Sequence, residues 1–206
     1  FIVGSIFIVI TDFDNLTKLG TDPGAAIGGA FGTVVAAYGA MIVGGAFVLG
    51  GEIWRGASGF AGEFGFVPIN SEGMRLEEVA STDNIVRRTK ARFHQDSTSS
   101  LNSLDEESIT LDNIISAARE DDDFAQLLIV RTAAYVATAI ASVINLLNLE
   151  KVVVGGEIMD AKNLVLDAIV ERARELSFAP SFEAVSIVEG ELGDFAAAIG
   201  AALLAE

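Results

Sequence analysis

Cysteine is absent from this chain, and histidine occurs once, at His94. Without cysteine there are no disulfides, no thiolate catalysis and no Cys-held zinc or iron–sulfur cluster. Any histidine-based metal site would have to be mostly carboxylate. Basic residues are scarce as well: 13 Lys and Arg stand against 29 Asp and Glu, a formal net charge of −16. A surface that negative repels phosphate backbones, so the chain alone is a poor nucleic-acid binder. What is abundant is apolar side chain, 51% of 206 residues. That fills a core and excludes disorder as the overall state. The chain opens at Phe1 and not at methionine, which reads as a fragment.

Two uncharged stretches, residues 23–51 and 132–149, reach the length that spans a bilayer. Their flanks argue against it. Asp121, Asp122 and Asp123 lead into the second stretch and Glu150 follows it, where a spanning helix usually carries Lys or Arg. Glycines crowd the first stretch and are costly in one continuous helix. It reads instead as two buried strands, over 33–38 and 42–49. Residues 2–10 are too short to span and have no basic leader, so they make no secretory signal.

The β-branched run over residues 6–11 suits a strand buried on both faces, followed by a polar turn over 12–20. Residues 52–70 form a Gly-rich segment, and 76–90 read as one helix. Arg87, Arg88, Lys90 and Arg92 there read as a solvated face balancing nearby acids. Residues 95–105 (QDSTSSLNSLD) have few large apolar groups and read as an internal loop, with His94 at the surface beside it. Thr110 can cap a helix over 111–119, and the Asp run can serve the N-terminus of the next helix, over 124–147. That helix is apolar almost all round, which predicts a central, buried element. A strand over 151–155, an amphipathic helix over 160–176, a strand over 184–188 and a final helix over 195–205 capped by Asp194 complete an α/β lobe.

Three segments, in order, resemble the ROK family (repressor, open reading frame, kinase). Residues 55–65 (RGASGFAGEFG) are close to its R-G-A-S-G-x-A-G-E-(F/I)-G-H signature. Residues 76–81 (LEEVAS) are similar to C-L-E-x-x-A-S, and 141–156 (ASVINLLNLEKVVVGG) to x-N-L-x-N-L-x-x-P-E-x-V-V-(L/I)-G-G. Residues 194–202 fit the closing G-D-x-A-x-x-G-A-A pattern with local substitutions. The resemblance covers about residues 30–206. It implies an α/β, actin-like ATPase (ribonuclease H-like) sugar-kinase lobe with a central mixed sheet flanked by helices. The whole of 1–206 would be one C-terminal sugar-binding and oligomerisation lobe. Neither the D-x-G-G-T phosphate loop of the first lobe nor a helix-turn-helix is found in this sequence. The resemblance also implies a bacterial, cytoplasmic setting and a homodimer or homotetramer. DNA would be reached only through a module outside this chain.

Sugars are held by a few well-placed polar groups, often carboxylates that accept from vicinal hydroxyls. Glu63 and Glu77 match the two glutamates that do this in the family, although each is also one of 29 acids. Glu63 sits among glycines, where backbone can approach a ligand. The family's N-D-x-N-x-A-A-L-G-E segment, which carries the general base, has two placements. One lies over 12–20 and keeps Asn15 as a ligand contact but puts Phe13 where the base belongs, leaving Asp12 or Asp14 within one position. The other lies over 21–26 and keeps Asp22 but loses both asparagines. The first needs fewer gaps.

The departures carry as much information. The glycine turn G-T-G-I-G-A-G corresponds to residues 40–46, where Met41 and Ile42 precede Gly44 and Gly45. A phosphate cradle needs converging backbone N–H groups without Cβ obstruction. Gly44, Gly45, Gly155 and Gly156 remain the nucleotide-side glycines. The histidine after E-F-G is Phe66, and the zinc loop C-x-C-G-x-x-G-C has shrunk to residues 71–75 (SEGMR), so no zinc or other cofactor is expected. Phe66 either stacks on a sugar face or fills the hole left by the shortened loop, and the second is the simpler reading. The leading expectation is a sugar- or sugar-phosphate-sensing lobe of a ROK regulator without kinase activity. The alternatives are an ATP- and Mg-dependent hexose kinase (glucokinase or N-acetylhexosamine kinase type) and a ligand-free lobe that acts only by dimerising.

Overall fold

The computed structural model describes residues 6–11, 43–50 and 52–192. The strand expected over 33–38, the start of the strand expected at Ile42 and the final helix over 195–205 lie outside the described residues. Five strands form one mixed sheet: β1 (Ile6–Thr11), β2 (Val43–Leu49), β3 (Glu52–Trp54), β4 (Lys151–Gly155) and β5 (Ser186–Glu189), in the order β3-β2-β1-β4-β5. The pairs β1–β2 and β4–β5 are parallel, and the pairs β1–β4 and β2–β3 are antiparallel. Val152, Val153 and Val154 of β4 are all buried. Successive residues of a strand point to opposite faces, so both faces of the sheet are covered at β4. The short β3 was not expected from the Gly-rich stretch that contains it. It forms because Gly50, at φ +61°, turns the chain back on β2, and Trp54 then meets Phe47 edge-on at 5.8 Å.

The long helix α4 (Asp123–Leu147) follows α1 (Glu77–Ala80), α2 (Thr82–Lys90) and α3 (Leu111–Arg119). It packs mainly on α5 (Asn163–Leu176) and on α3. Leu128, Ile129, Val136, Ile140 and Ile144 are buried along one side of it. By length and composition alone α4 could cross a bilayer, yet that side is core. It is not buried all round: Leu127, Leu146 and Leu147 face outward. Asn145, which breaks its apolar run, accepts from the Phe178 N–H (2.7 Å) and donates to the Leu176 carbonyl (3.0 Å). This ties the end of α4 to the joint between α5 and α6 (Ala179–Ala184).

Boundaries move where side chains compete with the ladder. The single helix expected over 76–90 is two, because Ser81 is extended (φ −70°, ψ 148°) and caps α2 by accepting from the Asn84 N–H. The helix expected from residue 160 begins at Asn163: Glu157–Ala161 is a 3₁₀ turn that ends at Lys162, whose φ is +55°. The last strand starts at Ser186, because residues 179–184 form α6 with proline in its first turn. Residues 95–105 are more than a linker. Leu101 is buried, and Asp122 accepts from the Ser99 hydroxyl (2.9 Å) and from the N–H and hydroxyl of Ser100 (2.6 and 2.8 Å). The same carboxylate caps α4 through the Ala125 N–H (3.0 Å). Nor is every arginine of the basic cluster solvated. Arg88 reaches inward to the Val79 carbonyl and the Thr132 hydroxyl, both at 2.7 Å. Burial, the largest influence, lowers its pKa. His94 is exposed as expected, its ring against that of Phe93.

Candidate functional site

The edge of the sheet beside β2 is where the two glutamates meet. The chain leaves β3 and curls back until the Gly45 N–H donates to the Gly62 carbonyl at 2.9 Å, extending the ladder past Trp54. Gly62 has φ +102°, and a Cβ there would collide with the carbonyl oxygen of Gly45. Only glycine satisfies both the backbone angle and the close approach. Glu63 therefore stands on a turn pressed against β2. The next three residues, Phe64–Phe66, form a 3₁₀ turn with Phe64 buried and stacked on Phe47 at 5.6 Å. A Cβ at Gly65 would lie 2.9 Å from the Val43 carbonyl oxygen and 3.2 Å from Oε2 of Glu77. The missing side chain leaves room for the Glu77 carboxylate at the start of α1.

Glu63 and Glu77 are thus brought together by elements 14 residues apart in sequence. Burial, and then the negative charge of Glu77, push the Glu63 pKa above its usual value. Arg75 Nη1 lies 3.6 Å from Oε1 of Glu77. Its guanidinium also sits 4.6 Å from the centre of the Phe66 ring. Phe66 is 54% exposed. It does not fill the hole of the shortened loop, because residues 68–75 close on themselves. The Ile69 N–H donates to the Met74 carbonyl (2.8 Å), the Leu76 N–H to the Val67 carbonyl (3.0 Å), and Asn70 Oδ1 accepts from the Met74 N–H (2.9 Å). Arg75 is the functional candidate that sequence reading missed. The available signal was a cation placed directly before the L-E-E stretch.

The four glycines expected on the nucleotide side divide into two groups. Gly44 and Gly45 are buried in β2, and the Gly45 N–H is committed to Gly62. Gly44 and Gly155 flank Phe7 of β1 in one cross-strand row, which sets them about 10 Å apart by strand spacing. Gly156, at φ +111°, turns the chain into Glu157. An open groove of about 670 Å³ begins there, lined by Thr82, Arg87, Lys90, Thr110 and Glu157 among others. Neither Glu63 nor Glu77 lines it, so this groove and the carboxylate pair are separate features. Asp12, Asp14, Asn15 and Asp22, the candidates for the general base and a third ligand contact, lie outside the described residues, as do Met41 and Ile42.

Comparison with known proteins finds relatives of this chain. The glucokinase of Halalkalibacterium halodurans is 31% identical over 204 residues, covering 93% of this chain and 62% of that enzyme. The xylose repressor of Caldicellulosiruptor bescii is 27% identical over 173 residues, covering 77% of this chain and 42% of that protein. A solved ROK family transcriptional regulator, a homologue of the E. coli MLC protein, superposes with a TM-score of 0.73 at 27% identity, over 98% of this chain and 46% of that one. The chain thus spans about half the length of such relatives, and its fold is the actin-like ATPase fold of ROK kinases and regulators. The model of the ROK family matches residues 30–206; this chain belongs to the ROK family.

Proposed function

We infer that this chain is the sugar-sensing lobe of a ROK-type transcriptional regulator that no longer transfers phosphate. The observation that carries the reading is the Glu63–Glu77 pair, set on a glycine floor at the edge of the sheet. Two carboxylates held close repel each other, and vicinal hydroxyls of a sugar or sugar phosphate relieve that by donating to both. Loss of phosphoryl transfer is supported by two features on the nucleotide side. Met41 and Ile42 stand in the glycine turn, and the Gly45 N–H already donates to Gly62. Phosphoryl transfer depends on positioned donors around the phosphate oxygens, and this turn offers few. DNA contact would come through a module outside this chain, and the working form would be a homodimer or homotetramer.

A second reading has a specific observation in its favour, the match to a glucokinase over nearly the whole of this chain. In that case the protein is an ATP- and Mg-dependent hexose kinase. Calorimetry on the full-length protein with glucose and N-acetylglucosamine, alongside an ADP-release assay, separates the two. The sensor reading expects saturable hexose binding and no hexose-dependent ADP release. It also expects Glu63→Gln and Glu77→Gln each to weaken binding about tenfold or more, the loss of one charged hydrogen bond, without unfolding. Hexose-stimulated ADP release would hand the function to the kinase reading. Unchanged affinity in both variants would remove the carboxylates from the site.

A further inference from the structure

The family's zinc loop has a counterpart here whose residues cannot hold zinc. Phe66 and Arg75 offer a hydrocarbon ring and a cation, Ser71 donates its hydroxyl to the neighbouring Glu72, and Asn70 closes the turn on the Met74 N–H. No thiolate or imidazole is among them. Among the described residues, no three Asp, Glu or His side chains converge as a metal cluster. What the structure does put in that place is a positive charge of the chain's own.

We propose that Arg75 is a positioning residue that does the cross-linking a metal ion would do, pinning the Phe66 turn to the start of α1 so that Glu63 and Glu77 face a common ligand. Four contacts define it. The guanidinium lies over the Phe66 ring at 4.6 Å and 3.6 Å from Oε1 of Glu77. The Arg75 backbone N–H donates to Oε2 of Glu78 at 2.7 Å, and Arg75 pairs with Pro68 across the small hairpin. The ring contact anchors the turn that carries Glu63, because the Phe66 N–H donates to the Glu63 carbonyl. The ion pair anchors Glu77. A delocalised, planar cation can do both at once, since guanidinium stacks on aromatic faces and still presents N–H groups at its edge. Its charge also offsets the repulsion between the two carboxylates, which burial and proximity otherwise make costly.

The sugar arm of the test rests on the sensing function, whereas the structural arm does not. Hydrogen exchange on the full-length protein would follow peptides spanning residues 66–76 in wild type, Arg75→Met and Arg75→Lys, with and without EDTA. The expected result is at least tenfold faster exchange in Arg75→Met at the Ile69 and Leu76 amides, partial restoration in Arg75→Lys, and no effect of EDTA on any of the three. In parallel, glucose and N-acetylglucosamine affinity should fall about tenfold in Arg75→Met and by less in Arg75→Lys, with melting temperatures within a few degrees of wild type. Exchange accelerated by EDTA in the wild type would overturn the proposal, as would wild-type exchange in Arg75→Met. If neither hexose binds the wild type while the exchange pattern holds, the sensing function fails and the cross-link stands.

Discussion

Two influences act on the Glu63 carboxylate in the same direction: partial burial and the neighbouring charge of Glu77 both favour its neutral form. A carboxyl whose folded-state pKa is raised stabilises the fold less as pH climbs from its ordinary 4.5 through the raised value. The melting temperature of Glu63→Gln should therefore equal that of wild type below pH 4.5 and exceed it near neutrality. Equal values at pH 7 would show that the carboxylate carries no such strain. Paired with the weakened sugar binding expected of the same variant, this is a trade of stability for a ligand contact. The two glutamates were legible because the motif around each is dense and local. Arg75 was not. Its two partners sit at Phe66 and Glu77, and they converge only once Asn70 and Gly73 have folded the intervening hairpin.

At the scale of elements, α4 and the segment before α3 depend on one side chain. Asp122 accepts four hydrogen bonds, from the Ala125 N–H, the Ser99 hydroxyl, and the Ser100 N–H and hydroxyl. Burial alone would raise its pKa, but those donors outweigh it and hold the carboxyl below its ordinary 3.8. Asp122→Ala should cost about 2–3 kcal/mol, a lost cap plus stranded buried donors, measured by urea denaturation at pH 7. A depressed folded-state pKa gives stability that is present above pH 3.8 and lost as pH falls through the lowered value, so wild type and variant should converge in acid. A penalty that persisted unchanged at pH 2 would contradict the hydrogen-bond account. The sequence announced the acidic cap of α4, because capping is local. It did not announce that the same aspartate would fasten Ser99 and Ser100, 23 and 22 residues upstream. The break at Ser81 was missed for a related reason: helical periodicity runs straight through it, and only the cap contact with Asn84 shows that the chain restarts.

The whole molecule carries a net charge of −16, and charge on that scale acts at a distance. This chain should show no retention of duplex DNA in gel shifts at about 150 mM salt. Tight binding there would mean that a basic face had been overlooked. The mixed α/β character, the succession α3, α4, β4 and α5, and the family signature followed from short-range pattern: valine runs, capping residues and closely spaced glycines. These are properties of a chain read a few residues at a time. Other features were decided only in three dimensions. Gly45 spends its N–H on Gly62, Gly44 and Gly155 share a row across β1, one face of α4 is left to solvent, and a guanidinium spans two carboxylate-bearing turns. Each depends on which distant segments come to lie side by side, and the energy of such contacts is set by separation in space, on which neighbouring letters in the sequence carry no information.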